Sequence, residues 1–441
     1  MAMSTPGSAM AAGEPGVLEV IGSDAGGLAA LPPRSQALLR GARLVLAPAR
    51  LLGELAPWWQ AEQAAGRLPA ARTCPDLLAT DRPERIVEPL RRALHDGLPV
   101  VLLASGDPLW FGIGRLLLQH LGAERLRFHP APTSLQLAFA RIGRPWQDAE
   151  WISLHGRDPE PLAARLQKRP AALAVLTDPD RGGADTVRRV LRASGLEPAY
   201  AFWLCERLGH PDERVRRLEA DETLPAAIDR LHLVLLVAAE PVAGAAGDLP
   251  LFGIEDGFWH QFPDHPGLMT KREVRIQLLA DLELPATGVL WDVGAGVGSV
   301  GLEALRLRPA LSLFAVERRV GAAGLIRANA ERLGVRPAGV VEAAAPEALE
   351  GLPVPDRVLL GGGGPQRRAL LEVVLDRLAA DGLVVIPLAT VEALAELRPA
   401  LERRGFQVAV SQHQSWRGAP LADGTRLAPL NPVLVLRGRR A

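Results

Sequence analysis

The sequence predicts an α/β protein built from two successive series of strands and helices, with mostly parallel sheets. Three observations support this. Short apolar runs alternate with helical stretches along the whole chain. A glycine-rich turn follows one of these runs at residues 290–305, as in a doubly wound sheet that binds a nucleotide-like ligand. A stretch rich in alanine, glycine and proline, residues 241–257, separates the two series.

Composition describes an ordinary globular chain of 441 residues, 48% hydrophobic and 23% charged. Fifty basic and fifty acidic residues cancel, which argues against a nucleic-acid partner. The two cysteines, Cys74 and Cys205, form neither a disulfide framework nor a metal-ligand spacing, so no metal is expected. No apolar stretch reaches the length of a membrane span, and residues 1–15 lack the pattern of a signal peptide. We expect a cytoplasmic protein with no membrane partner and a disordered tail at 1–15.

The first half contains the expected elements in order. Strands are predicted at Val17–Gly22, Leu44–Ala47, Pro99–Ala104, Ala171–Thr177 and Leu231–Val237. A helix is predicted at Ser35–Gly41, and Gly112 and Gly114 precede a second helical stretch that reaches Gly122. The strand at Pro99–Ala104 stops at the turn "SGDP", residues 105–108. Further on, Thr133 or Ser134 is placed to cap a helix.

After the alanine- and glycine-rich stretch, "GLMTKREVRIQLLADL" predicts a helix. Thr270 and Glu273 have the spacing of a capping box. Val274, Leu278 and Leu282 follow at intervals of four residues, which places them on one apolar face.

The segment "LWDVGAGVGSVGLEAL" predicts a strand, a tight turn and a helix. The strand Val289–Val293 has Asp292 as its last residue but one. Gly294, Gly296 and Gly298 then alternate with small residues, and a helix is predicted at Ser299–Leu305. Glycines let the backbone turn sharply, and a helix N-terminus offers unpaired N–H groups to a ligand. The next strand, Leu311–Val316, ends in Glu317, where a doubly wound fold places a carboxylate for ribose hydroxyls.

Two ligands compete for this loop. Residues 296–301 formally satisfy G-x-G-x-x-G, the dinucleotide pattern, but that frame starts too late because the strand ends at Val293. An acid two residues before the first turn glycine is the pattern of S-adenosylmethionine (SAM) methyltransferases. The loop favours SAM and leaves NAD open.

Later strand ends in the second half are expected at the same crevice. A helix at Gly321–Leu333 leads to the strand Gly339–Val341, which ends at Glu342, and Val358–Leu360 ends at Gly361. Ligands bind at the carboxyl ends of strands in such folds. We therefore expect the crevice to be lined by Asp292, Glu317, the segment from Glu342 to Ala344, and Gly361.

Family resemblance covers nearly the whole chain. The segments "GLMTKREVR", "WDVGAGVGSVGLEAL", "AVERR", "VVEAAAPEAL" and "PDRVLLGGGG" resemble the CbiT type of cobalamin-pathway methyltransferase. The segments "VIGSDAGGLAALP", "LLASGDPLWFGIGRLL", "PAPTSLQLAFARIGRPWQDAEWISLHGRD" and "CERLGHPDERV" resemble the CbiE type, within the tetrapyrrole methylase family. In this order they are similar to the fused precorrin-6Y C(5,15)-methyltransferase (decarboxylating) family.

The resemblance implies a two-lobed tetrapyrrole methylase domain at 16–242, a linker at 243–256 and a Rossmann-like methyltransferase domain at 257–441. It implies methylation of a precorrin-6 tetrapyrrole at carbons 5 and 15, with decarboxylation of the ring C acetate and SAM as the cofactor. A homo-oligomer is also expected. Two other functions remain open: a SAM-dependent methyltransferase for RNA or another small molecule, and a noncatalytic SAM-binding scaffold.

Candidate cofactor residues follow from the same resemblance. In the first half SAM is expected in a cleft between two lobes, contacted by Ala104, Ser105, Gly106 and Asp107 and by Thr133 and Ser134. Relatives begin with a G-x-G loop where this chain has Gly22-Ser23-Asp24. In the second half, Gly294, Gly296 and Gly298 are expected around the methionine part, Asp292 near its ammonium, Glu317 at the ribose, and the backbone of Ala343 and Ala344 at the adenine.

Substrate candidates are fewer. Thr270, Lys271 and Arg275 suit binding of substrate carboxylates, with a solvated helix face as the alternative. His155 and Arg157 are candidates for touching the tetrapyrrole, with a structural role as the alternative. No general base is assigned, because the methylated carbons of a reduced tetrapyrrole are already nucleophilic and catalysis is then mainly alignment.

Overall fold

The chain forms two compact units in a computed structural model. It describes residues 16–440 apart from 25, 83–84, 111, 221, 241–245, 362–363, 365 and 422–423, so the expected tail at 1–15 lies outside the described residues. The first unit comprises residues up to Gln147 with Leu204–Arg216 and Ala226–Leu233. The second comprises Asp148–Trp203, Arg217–Pro225 and Val234–Ala441.

The first unit is built on a parallel five-stranded sheet in the order β3-β2-β4-β1-β5. Its central strands are buried on both faces, which agrees with their continuous apolar sequence. The elements are β1 Leu18–Ser23, α1 Pro33–Gly41, β2 Leu44–Ala47, α2 Ala49–Ala64, β3 Asp76–Ala79, α3 Val87–His95, β4 Val100–Ser105, α4 Gly114–Leu121, β5 Leu126–His129 and α5 Ser134–Arg141.

The next part of the chain forms a second five-stranded sheet, in the order β6-β7-β10-β8-β9. Its strands and helices are β6 Ala149–Ser153, α6 Glu160–Gln167, β7 Ala172–Leu176, α7 Gly183–Ala193, β8 Tyr200–Glu206, β9 Arg214–Leu218 and β10 His232–Ala238.

The C-terminal part is a doubly wound, seven-stranded sheet in the order β13-β12-β11-β14-β15-β19-β16. β11 pairs in parallel with β12 on one side and β14 on the other, so the strand order reverses at β11. β19 is antiparallel to its neighbours. The elements are α8 Arg272–Asp281, β11 Gly288–Val293, α9 Ser299–Leu307, β12 Leu311–Glu317, α10 Ala322–Arg332, β13 Gly339–Glu342, β14 Arg357–Leu360, α11 Arg367–Arg377, β15 Leu383–Leu388, α12 Val391–Arg403, β16 Phe406–His413, β17 Trp416–Leu421, β18 Gly424–Pro429 and β19 Val433–Arg440.

The predicted capping box at the start of α8 is wrong. The helix begins at Arg272 after Lys271, and no side chain at that N-cap accepts a hydrogen bond. Instead the Asp256 carboxylate, 16 residues earlier, accepts the Arg272 N–H at 3.0 Å, while Glu273 pairs with Arg417 at 2.7 Å. The apolar face is confirmed, since Val274, Leu278 and Leu282 are buried.

The described part of the predicted linker packs on the C-terminal domain. The Glu303 carboxylate on α9 accepts the N–H groups of Gly253 at 2.7 Å and Ile254 at 3.1 Å. Arg306, one turn later, donates to backbone carbonyls of Ala246 and Leu249 at 3.1 Å each. These buried bonds attach the segment to α9, and residues 243–245 lie outside the described chain.

A β-hairpin, β17–β18, joins the C-terminal sheet to the α6–α7 region within the second unit. Arg417 on β17 donates to the Ser194 carbonyl at 2.6 Å and to the carboxylates of Asp256 at 2.9 Å and Glu273 at 2.7 Å. The Arg417 side chain is only 11% exposed, so its charge depends on these partners. Among the described residues, no helix is long and apolar enough to cross a membrane.

We expect Arg417→Ala to lower the free energy of unfolding by about 3 kcal/mol, because it removes the cation that pairs with both Asp256 and Glu273 in a largely buried network. The matched control is Arg398→Ala, which removes an exposed pair with Glu402 and should change stability by no more than about 0.5 kcal/mol. Urea unfolding followed by tryptophan fluorescence measures both. Equal effects from the two variants would contradict a stabilising role for the Arg417 contacts.

Candidate functional site

A cavity of 1200 Å³ lies at the carboxyl ends of β11, β12 and β14. This edge of the sheet contains the point where the strand order reverses, and open α/β sheets bind ligands there. The lining includes the loop after β11, the end of β12, and the segments after β14 and β15. The sequence therefore predicted the edge of the sheet at which the cavity lies, but not its whole lining. Glu317, Ala343 and Gly361 line the cavity as expected, whereas Asp292, Glu342 and Ala344 do not.

The glycine loop has the backbone that its sequence predicts. The strand ends at Val293, and Gly294 turns with φ of 77° while its N–H donates to the Val316 carbonyl at 2.8 Å. Gly296 has φ of 58° and borders open space, since an added Cβ would meet no atom within 4 Å. Gly298 has φ of 81° and is the N-cap of α9, packed against Ile326. Gly294 and Gly296 line the cavity, whereas Gly298 shapes the loop beneath it.

Glu317 is the one acidic residue among the described residues of the cavity lining, and it also holds the loop in place. Its side chain is largely buried at the end of β12. One carboxylate oxygen accepts the Gly296 N–H at 2.9 Å, and the other accepts the Arg319 N–H at 3.2 Å. A carboxylate has about four acceptor positions, so two hydroxyl groups of a ligand can bind as well.

Asp292 lies behind the loop and does not line the cavity. Its carboxylate is buried and accepts the Gly301 N–H in the first turn of α9 at 3.1 Å. Burial raises the pKa of Asp292 to about 7, the Gly301 N–H opposes this shift, and the negative charge of Glu317 adds to it. Asp292 therefore connects the end of β11 to the first turn of α9.

The remaining predicted cofactor residues of the second half divide between the cavity and its surroundings. Ala343 and Gly361 line the cavity. Gly361 is close to the glycine loop, since an added Cβ would lie 3.1 Å from the Val293 carbonyl oxygen. Ala344 is exposed, and its carbonyl accepts the Ala348 N–H at 3.1 Å; its neighbour Ala345 lines the cavity instead.

Of the three substrate candidates before α8, two reach the cavity and one does not. Thr270 and Lys271 line it and are half-buried. Burial lowers the pKa of Lys271, the Asp256 charge opposes the shift, and the Lys271 ammonium donates to the Gly267 carbonyl at 3.1 Å.

The expectation for Arg275 is wrong. Its guanidinium is fully buried and is bonded to Glu303 at 2.7 Å, to the Thr270 carbonyl at 2.7 Å and to the Ile254 carbonyl. It also lies over the Trp259 ring at 5.2 Å. A group with its donors used inside the protein is not available to a substrate carboxylate.

The predicted residues of the first half come together in the first unit. Gly106 turns with φ of 65°, donates to the Ser23 carbonyl, and has Thr133 as its nearest neighbour across the turn. Of the two predicted caps, Thr133 is the N-cap of α5 and also forms a capping box with Gln136, whereas Ser134 is the first residue of the helix and is exposed. Ala104 is buried, Ser105 is exposed, and Asp107 accepts the Leu109 N–H at 2.8 Å.

Gly22 explains how these segments approach each other. An added Cβ there would lie 2.2 Å from the Gly106 carbonyl oxygen and 2.8 Å from the Ala131 nitrogen. The first residue of "GSD" is therefore required for packing. Asp24, its last residue, folds back to accept the Gly26 N–H at 2.9 Å.

His155 and Arg157 lie in an exposed turn after β6 and do not line the cavity of the C-terminal domain. The turn is fixed by Asp178, which accepts the Gly156 N–H at 2.8 Å.

Sequence reasoning missed several cavity residues. Lys168 comes from the end of α6, Arg318 and Arg319 follow Glu317, Pro429 ends β18, and Leu430 and Asn431 come directly after it. Arg318 and Arg319 could have been found from their position, since they come directly after the predicted residue Glu317. Lys168 could have been singled out by its rarity, since it is one of only two lysines in the sequence.

The strand order, the glycine loop and the carboxylate at the end of the second strand define a Rossmann-like methyltransferase domain, matched at residues 261–440 by the precorrin methyltransferase domain family. Residues 17–223 match the tetrapyrrole (corrin/porphyrin) methylases. A precorrin-6Y C(5,15)-methyltransferase (decarboxylating) from Sinorhizobium sp is 33% identical over 363 residues, covering 81% of this chain and 85% of the relative. The chain belongs to the precorrin-6Y C(5,15)-methyltransferase (decarboxylating) family.

Two further relatives differ in how much of the chain they match. A protein of the same name from Mycobacterium tuberculosis is 29% identical over 417 residues, covering 94% of this chain and 97% of the relative. A probable cobalt-precorrin-6B C(15)-methyltransferase (decarboxylating) from Pyrobaculum calidifontis is 37% identical over 186 residues, covering 42% of this chain and 94% of the relative. Because this is a family of methyltransferases, the alternative that the glycine loop binds NAD is excluded.

We expect Asp292→Asn to become more stable relative to the wild type as pH rises from about 4 to 7. Asp292 in the folded protein is protonated up to about pH 7, whereas in the unfolded chain it ionises near its ordinary value of 3.8. The wild type therefore loses stability through this window, and asparagine cannot ionise. The difference in Tm between the two proteins measures the effect. A difference that is constant from pH 4 to 8 would show an ordinary pKa for Asp292.

Proposed function

We propose that the protein binds SAM in the C-terminal cavity and there methylates carbon 15 of a precorrin-6 tetrapyrrole, with loss of the ring C acetate carboxylate. The observation that carries this proposal is the pairing of the Gly294–Gly296 turn with Glu317 at the point where the strand order reverses. Carbon 5 is methylated at a second SAM site in the tetrapyrrole methylase domain. Cytoplasmic location and assembly into a homo-oligomer stay predictions.

The residues of the cavity suit SAM part by part. The open face of Gly296 admits a ligand against the backbone, as the methionine part requires. Glu317 accepts the ribose hydroxyls with the oxygen positions left by its two backbone bonds. Backbone groups of Ala343 serve the adenine, and Ala345 replaces Ala344 as its neighbour at the cavity. SAM supplies an electrophilic methyl group on a sulfonium.

The charge of the cavity suits the second ligand. Among the described residues, its lining contains four basic ones, Lys168, Lys271, Arg318 and Arg319, against one acidic one, Glu317. A precorrin carries several acetate and propionate groups that are ionised near pH 7. Basic residues around a crevice attract and orient such a polyanion. The enamine-like carbon already has the electrons for attack, so the protein contributes alignment and the exclusion of water.

Two observations favour this over the alternative functions. The segment after β14 is Gly361 to Gly364, where methyltransferases of amino groups in nucleic acids carry an Asn/Asp-Pro-Pro-aromatic signature. The cavity itself supports an enzyme over a scaffold, because it has room for a second ligand beside the cofactor. Calorimetry with SAM separates the two: two sites per chain support the enzyme, and none supports the scaffold.

We expect Glu317→Ala to weaken SAM binding at the C-terminal site by about ten- to a hundredfold, because charge-assisted hydrogen bonds contribute about 1.5 to 3 kcal/mol. Carbon 15 methylation should fall at limiting SAM and partly recover at high SAM. Glu317→Gln keeps an acceptor for the Gly296 N–H and separates the loss of charge from disturbance of the loop. Glu402→Gln on α12 is the control. Two SAM sites of unchanged affinity in Glu317→Ala would disprove the ribose role.

We expect Gly106→Arg to abolish carbon 5 methylation and leave carbon 15 methylation intact, because the new side chain fills the space beside Thr133. Gly66→Arg is a matched control: Gly66 also has positive φ, at 71°, and its surroundings are open. It introduces the same charge and similar backbone strain elsewhere. Product masses from labelled SAM report each methylation. Loss of both methylations in Gly106→Arg alone would refute the assignment of two sites.

A further inference from the structure

The chain contains only two lysines, Lys168 and Lys271, against 48 arginines. Both lysines line the cavity of the C-terminal domain. They are 103 positions apart in sequence and belong to different family matches, since Lys168 lies within 17–223 and Lys271 within 261–440. Every other residue counted among the lysines and arginines of the chain is an arginine. The structure therefore brings the two ammonium-bearing residues of the whole chain to one site.

Specific contacts of the second unit hold Lys168 at the cavity. Lys168 is the C-cap of α6, and the next residue, Arg169, reverses the chain with φ of 51°. The Arg169 guanidinium donates to the carbonyls of Asp256 at 3.3 Å and Trp259 at 3.4 Å. From the other side, the backbone of Gly267 is so close that an added Cβ would lie 2.5 Å from the Gln167 carbonyl oxygen. The end of α6 is therefore fixed against the segment that leads into Thr270 and Lys271.

The chemistry of Lys168 matches an anionic ligand. Its side chain is exposed, and no carboxylate in the described part of the chain pairs with it. A lysine ammonium is a compact charge on a flexible stem with three donors, so it can follow a carboxylate on a mobile acetate or propionate arm. The half-buried Lys271 ammonium offers a second such contact from the other segment.

We propose that Lys168, which belongs to the tetrapyrrole methylase match, completes the substrate site of the C-terminal domain and binds an ionised carboxylate of the tetrapyrrole together with Lys271. This rests on the proposed function of the cavity. Lys168 determines substrate affinity and orientation and takes no part in bond formation. One catalytic domain thus receives a specificity-determining residue from the segment matched to the other.

Amine labelling of the full-length protein tests this directly. With two lysines in the chain, an acetylating reagent reports on this cavity and on the N-terminal amine. Peptide mass spectrometry gives the acetylation rate of each lysine with and without saturating precorrin-6Y. The proposal requires the substrate to slow acetylation of both lysines, roughly fivefold or more. Protection of Lys271 with an unchanged rate at Lys168 would overturn it, as would an unchanged rate at both.

Kinetics provide the second test. Lys168→Ala should raise KM for precorrin-6Y in carbon 15 methylation roughly tenfold, with kcat and the Kd of SAM close to those of the wild type. Lys168→Arg should recover most of the affinity, and Arg398→Ala, which removes one exposed positive charge elsewhere, should change nothing. An unchanged KM in Lys168→Ala overturns the inference and leaves the proposed function intact. A wild type without carbon 15 methylation overturns the proposed function instead.

Discussion

The buried carboxylate of Asp256 connects the elements that form the C-terminal site. It accepts the Arg272 N–H at the start of α8, pairs with Arg417 of the hairpin at 2.9 Å and lies 3.4 Å from Arg275. Its backbone carbonyl accepts from Arg169 beside α6. A buried charge is tolerated only when it is paired and hydrogen-bonded, so these partners are mutually dependent. Through them one residue fixes the approach of Lys271, the hairpin and the end of α6 to the cavity.

The glycine loop and its carboxylate were predictable because their signals are local. An apolar strand, three alternating glycines and an acid at the next strand end fix strand, turn and helix within about 30 residues. Parallel pairing then places these ends at one edge of the sheet without further information. The same reasoning found the turn at Gly106 and the cap at Thr133. Each depends on neighbouring residues and on the rule that parallel strands end together.

The rest depends on contacts between residues distant in sequence. Thr270 and Glu273 have the right spacing for a capping box, but Glu273 is taken by Arg417, 144 positions later, and Asp256 takes over the helix N-terminus. Arginine is usually a surface residue, but Arg275 is buried against Glu303 and Trp259. Lys168 directly follows α6, and nothing in that segment of the sequence predicts a position beside the C-terminal sheet. Periodicity and spacing contain no information on which distant charge will be the partner.

The compact units do not follow the two family matches, and this affects how the chain can fold as it is synthesised. The first unit needs residues up to Gln147 and also Leu204–Arg216 and Ala226–Leu233, so it lacks segments until residue 233 has left the ribosome. The second unit includes β19, which pairs between β15 and β16 and ends at Arg440. During translation, therefore, the seven-stranded sheet stays incomplete until β19, which lies between β15 and the edge strand β16, has been synthesised.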